Sequence, residues 1–165
     1  NPYAIGKTKD SDVTDFRHAL VEFDSKSGLS PEFQFELYQK SGIPCTAIVA
    51  SGGESTHALV RVDAQSRAEY DERVATLYGY FQAAGYAVDP ANKNPGRLSR
   101  LPFCVRGERR QELLALNCGA ESFTEWLAKH ELEGIAEQKG NDPQRDGSRK
   151  AHECGEPAGA ENKQN

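Results

Sequence analysis

The order in which the hydrophobic period switches along the chain is what most limits its fold. His18-Ala19-Leu20-Val21-Glu22-Phe23-Asp24 has the apolar content of a strand and runs into the turn-forming Ser25-Lys26-Ser27-Gly28. Ser30-Pro31 then supplies a capping hydroxyl and a first-turn proline, which predicts a helix to about Lys40, before Gly42. Cys45 to Ala50 is almost all apolar, Ser51-Gly52-Gly53-Glu54 is a tight turn, and Ser55 to Asp63 alternates, so these two stretches predict a hairpin. Ser66-x-x-Glu69 is a capping box, and Tyr70, Val74, Leu77, Tyr78 and Phe81 form the stripe of a helix that ends at Gly85. Beyond the loop Pro90 to Gly96, the segment Arg97 to Val105 reads as a fourth strand. A short strand near Leu113 to Leu116 and a helix capped by Ser122-x-x-Glu125 follow.

The order β-α-β-β-α-β predicts an α+β domain of the split β-α-β, RRM- or ferredoxin-like kind, with a mainly antiparallel sheet. Right-handed crossovers place the first and third strands in the middle of that sheet and the fourth strand beside the first. A chain of 165 residues suits one such domain. Residues 136–165 contain no Val, Ile, Leu, Phe, Tyr or Trp, so they predict a disordered tail or linker behind a folded unit at 1–135. The longest apolar stretch, Ile43 to Ala50, is far short of the ~20 residues of a bilayer span, which excludes a membrane-spanning helix. A start at Asn1 with no initiator Met and no secretory signal reads as an excised fragment. Cys45, Cys104, Cys118 and Cys154 are scattered, which fits free thiols in a reducing cytoplasm better than a disulfide framework. The net charge of −5 argues against a surface that coats a polyanion all over, while leaving room for a local basic groove.

Chemistry is concentrated in four places. Glu22 and Asp24 alternate on the first strand, so they share a face about 7 Å apart. They are either a solvated strand end or a pair of hard oxygen ligands for Mg²⁺ or Mn²⁺. Ser55 and His57 share a face of the third strand, next to glycines that would let a phosphate approach the backbone. His57 is either a satisfied structural histidine or, with Ser55, a donor to an anion. Asp89 precedes Pro90 and is either a turn aspartate or a third carboxylate beside the first strand. From Arg97 to Arg110 there are five arginines (97, 100, 106, 109, 110) against the single acid Glu108. That run is a solvated basic face or a set of forks for phosphate oxygens.

Three patches taken in order carry a resemblance: Leu20-Val21-Glu22-Phe23-Asp24, Ser51-Gly52-Gly53-Glu54-Ser55-Thr56-His57, and Asp89 followed by Asn94-Pro95-Gly96-Arg97-Leu98-Ser99-Arg100-Leu101-Pro102. Over about residues 15–117 the chain resembles the archaeo-eukaryotic primase superfamily, in the primase-polymerase form found in replication proteins of plasmids, phages and mobile elements. The resemblance implies that Glu22, Asp24 and Asp89 bind two divalent ions, Mg²⁺ or Mn²⁺. It implies that Ser55, His57 and Arg97 or Arg100 contact the triphosphate of the incoming nucleotide. The implied partners are a single-stranded DNA template, nucleoside triphosphates and a replicative helicase, fused or separate. Three positions depart from the pattern: the first motif is Glu22-x-Asp24 where many relatives have Asp-x-Asp or Asp-x-Glu, Glu54 stands where relatives often carry lysine, and Phe103 replaces a common glycine after Leu-Pro.

The activity this implies is primer synthesis by two-metal nucleotidyl transfer. The competing expectation is a non-catalytic single-stranded nucleic-acid-binding module on the same sheet, although the strands lack the exposed aromatics that stack bases in such modules. A metal-dependent nicking enzyme would want a His-x-His cluster, which the sequence lacks.

Overall fold

The computed structural model describes residues 1–140. Its sheet has four strands in the order β1-β3-β2-β6: β1 (Phe16–Val21), β2 (Cys45–Ala50), β3 (Thr56–Ala64) and β6 (Glu112–Cys118). Every neighbouring pair is antiparallel. Three helices complete the domain: α1 (Pro31–Ser41), α2 (Arg67–Ala83) and α3 (Phe123–Gly140). Helix α3 extends past the expected boundary at 135, and the rest of the expected tail, from 141 on, lies outside the described residues. Among the described residues no helix is long and apolar enough to cross a membrane.

The local signals act where they were read. Ser30 Oγ accepts from Phe33 N, Ser66 Oγ from Glu69 N and Ser122 Oγ from Glu125 N, so a hydroxyl cap opens each helix. The stripe Tyr70, Val74, Leu77, Tyr78 and Phe81 is the buried set of α2. It packs with Tyr38 of α1 against Ala19, Val21, Phe23, Ala58, Val60 and Val62, which fixes the helix-covered face of the sheet. Strand alternation then sends Glu22 and His57 to the opposite face. Two buried tyrosines tie the helices to the strand ends: Tyr38 Oη donates to the carbonyls of Val21 and Thr56, and Tyr78 Oη to that of Leu20.

Two expectations are corrected. The segment Arg97 to Val105 is no strand. Pro102 lacks an N–H, Arg97 N closes a turn on Asn94 O at 3.2 Å, and the large apolar side chains of the segment stand in water, Leu98 being 83% exposed. At its end the two-residue strands β4 (Val105–Arg106) and β5 (Arg109–Arg110) form a separate hairpin. β1 is therefore at the sheet edge rather than in the middle, and the central pair is β3 and β2. The strand expected near Leu113 to Leu116 is instead a full member of the sheet, seven residues long and paired with β2.

The place beside the end of β1 is taken by the chain just after α2. Phe23 bridges Val88, Asp24 N donates to Ala87 O at 2.9 Å, and Asp89 N donates to Glu22 O at 2.8 Å. Cys45, Cys104 and Cys118 are free thiols, yet Cys45 and Cys118 are direct partners across β2 and β6, a proximity that their spacing did not suggest.

Candidate functional site

Glu22 sits one residue beyond β1 and meets three neighbours. Its Oε1 lies 3.4 Å from His57 Nε2, and its Oε2 accepts from Asn92 Nδ2 at 3.2 Å. His57 is 5% exposed and engaged on both ring nitrogens, Nε2 also lying 3.3 Å from Ser55 Oγ and Nδ1 3.5 Å from Ser99 Oγ. The antiparallel register Val21↔Ala58 produces this meeting, since it sets the residues flanking that pair on one face. The hydrogen bond from His57 holds the Glu22 carboxyl down to about 2, with its charge and the bonds from Ser55 and Asn92 acting the same way against partial burial.

Asp89 joins Glu22 through Asn92. The Asn92 amide donates to Asp89 Oδ2 at 3.3 Å as well as to Glu22, and its Oδ1 accepts from Arg97 Nε at 2.7 Å. Asn92 is 1% exposed, so one buried side chain holds two carboxylates and one guanidinium in place. Asp89 Oδ1 also accepts from Ala91 N, capping the 3-10 turn Pro90–Lys93 that carries Asn92. Asn92 escaped the sequence reading because an Asp-Pro loop looks like turn chemistry alone. The available signal was the Asp-x-x-Asn spacing, since side chains three apart stand over one another in a 3-10 turn. We expect Asn92→Ala to cost about 1–3 kcal/mol, because it removes a buried amide that bonds two carboxylates and the Arg97 guanidinium. A urea melt would show it as a lowered midpoint, with the Glu22 titration moving upward by NMR.

Asp24 lies on the face of Glu22, opposite the buried Phe23, but its Oδ1 accepts from Lys26 N at 2.9 Å, capping the 3-10 turn Ser25–Ser27. The three acids thus sit around one strand end, Glu22 and Asp89 sharing the Asn92 amide and Asp24 bound to its own turn. Among the described residues no group of three His, Cys, Asp or Glu side chains is gathered closely enough to hold a metal ion. In kind, however, these oxygens are the donors that Mg²⁺ or Mn²⁺ takes.

A cleft of about 480 Å³ opens beside Glu22, lined also by Ser25, Ser51, Gly53, Glu54, Ser55, Arg100, Arg106 and Arg109. Of the two arginines expected at a triphosphate, Arg100 lines this cleft and Arg97 instead braces Asn92. Arg106 and Arg109 were legible only as part of a basic run. They reach the cleft because the β4–β5 hairpin leans on the Ser51–Glu54 turn. Gly52 has φ +74°, and a Cβ there would stand 2.6 Å from the Arg110 carbonyl oxygen. The glycine expected to admit a phosphate therefore admits the hairpin backbone. Ser51 Oγ accepts from Ser55 Oγ at 3.1 Å and from Gly53 N at 3.3 Å, which stiffens the turn. Three arginines and three serines set against two glutamates make a cleft suited to a polyphosphate.

No protein-family model matches the chain, and no curated protein matches it. Among solved structures, it is similar to the AEP domain of the primase-polymerase of cyanophage S-2L, with 22% sequence identity and a TM-score of 0.53. The match covers 74% of this chain and 64% of that one, so the chain spans less than two thirds of that domain. The shared fold is that of an archaeo-eukaryotic primase domain, in keeping with the expected α+β class.

Proposed function

We propose that the chain is a primase-polymerase catalytic domain that joins nucleotides on a single-stranded DNA template, in the replication of a plasmid, phage or mobile element. The observation that carries this reading is that Glu22, which lines an arginine-bearing cleft, meets His57 directly and is joined to Asp89 through Asn92, on a fold shared with a phage primase-polymerase. Glu22 and Asp89, with Asp24 two residues from Glu22, would hold the divalent ions. Bound there, Mg²⁺ or Mn²⁺ supplies charge for the leaving pyrophosphate and acidifies the attacking 3′-hydroxyl. The chain's own part is positioning. Arg100, Arg106 and Arg109 neutralise the triphosphate, and Ser55 donates to it. His57, pinned by Ser99, holds the Glu22 carboxylate ionised and aimed at the cleft. Nearly all of the catalysis expected is orientation and electrostatics, as for phosphoryl transfer in general.

The test is a template-dependent incorporation assay with nucleoside triphosphates and Mg²⁺ or Mn²⁺. Asp24→Ala is expected to abolish product while the far-ultraviolet circular dichroism stays unchanged, since the lost cap costs only about 1 kcal/mol. Undiminished product from that variant would reject the site. One observation favours the alternative of a non-catalytic single-strand-binding module, namely that Asp24 caps its own turn instead of joining Glu22 and Asp89, and that no three acids are gathered closely enough to hold a metal ion among the described residues. Such a module binds nucleic acid without needing divalent ions and makes no product.

A further inference from the structure

The segment 98–110 carries chemistry that the nucleotide cleft does not use. Phe103 is 65% exposed although it is the largest apolar side chain of the segment, and it holds φ +67°, a backbone state that penalises every residue with a Cβ and bulky ones most. Its backbone is nevertheless fixed. Phe103 N donates to Gln111 O at 2.8 Å, and Gln111 N returns a bond to Cys104 O at 2.9 Å. Gln111 itself is buried at the foot of β6, so the ring projects from a rigid stem. Strain and solvent exposure at one rigid residue both work against stability, and that combination is a mark of function.

The surroundings define the ligand. Leu101 and Val105 are exposed beside Phe103, and the exposed Arg106 and Arg110 follow on the β4–β5 hairpin. An apolar ring flanked by guanidinium groups complements a chain with a flat aromatic face and a phosphate at every repeat. We infer that Phe103 is a stacking platform for a base of single-stranded nucleic acid, with Arg110 of the hairpin on a neighbouring phosphate. Because Arg106 and Arg109 also line the cleft beside Glu22, a strand stacked on Phe103 is led toward that cleft. This rests on the proposed primase-polymerase reading for the identity of the strand as template, though not for its binding.

The test is fluorescence anisotropy with a labelled oligothymidylate in EDTA, so that no metal chemistry contributes. Phe103→Ala and Phe103→Gly are expected to weaken binding about tenfold or more, with Phe103→Trp at least as tight as wild type. The slope of log affinity against log salt should stay unchanged for these variants and fall by about one for Arg110→Ala. A purely structural role predicts that Phe103→Gly melts lower. A stacking role at φ +67° predicts a melting temperature no lower than wild type. An abasic oligomer of the same charge should bind wild type and Phe103→Ala alike. Binding of oligothymidylate by Phe103→Ala within twofold of wild type, an equal loss on the abasic oligomer or on duplex DNA, or no binding by wild type would each overturn the inference. Failure of nucleotide incorporation with Phe103-dependent binding intact removes the catalytic reading and leaves the platform standing. Incorporation that is insensitive to Phe103, with binding unaffected, does the reverse.

Discussion

Glu22→Gln is expected to lower template-directed incorporation by roughly a hundredfold to a thousandfold at neutral pH, the loss typical of removing one preorganised electrostatic group. The substitution keeps the size of the side chain and its contacts with His57 and Asn92, while deleting the charge that the proposed metal site requires. Single-turnover incorporation at saturating nucleotide is the measurement, since it separates the chemical step from binding. A rate within threefold of wild type would remove Glu22 from the site. The same variant has an acid signature. The folded Glu22 carboxyl titrates near 2, below its ordinary 4.5, so folding favours the carboxylate. Its contribution, on the order of 3 kcal/mol, is complete above about pH 4.5 and fades as the pH falls toward 2. Wild type should therefore lose stability between those values, and Glu22→Gln should lose less over the same window, measured as urea midpoints at stepped pH.

Phe23→Ala is expected to destabilise the domain by about 3–5 kcal/mol, the largest effect of any single truncation near the site. Phe23 is buried, stacks on Tyr38 at 5.2 Å, and meets Phe81 edge-on at the same distance. Because it lies between Glu22 and Asp24, its burial is what turns both acids outward, and its bridge to Val88 is what brings Asp89 alongside. Truncation should thus lower the thermal midpoint and cut activity further than the unfolded fraction explains. Phe23→Leu, which keeps most of the buried volume, should recover most of the stability. Equal stability of Phe23→Ala and wild type by denaturant titration would show that the strand end is not anchored by this ring.

Legibility in the sequence followed the range of the physics involved. The caps at Ser30, Ser66 and Ser122, the α2 stripe and the β2–β3 hairpin each depend on residues within a few positions of one another, and all appear as read. The meeting of Glu22 with His57 was accessible one step further on, through pairing of the first and third strands. The segment 97–105 was misread because Leu101, Phe103 and Val105 alternate as one strand face would, and no local rule tells whether a facing layer exists. The pairing of β6 with β2, the lean of the hairpin on Gly52 and the approach of Arg106 and Arg109 to the cleft depend on residues about 60 positions apart. Asn92 was hidden for a different reason, since its three bonds belong to a side chain that composition assigns to any turn. The expected carboxylate cage was half visible: Glu22 and Asp89 converge, while Asp24 serves the backbone of its own turn.

The turn that carries Arg97 is moored from the far end of the chain. Asn1 Nδ2 donates to Pro95 O, Tyr3 Oη to Gly96 O, and Gly96 N to Asp10 Oδ1, across separations of 94, 93 and 86 residues. Contacts that close such long loops are gained late in folding, after the β2–β3 hairpin and its helices have condensed. The wall behind Asn92 is therefore expected to set late, which pulsed amide exchange during refolding would show as protection at Asn92 gained after that of β2 and β3.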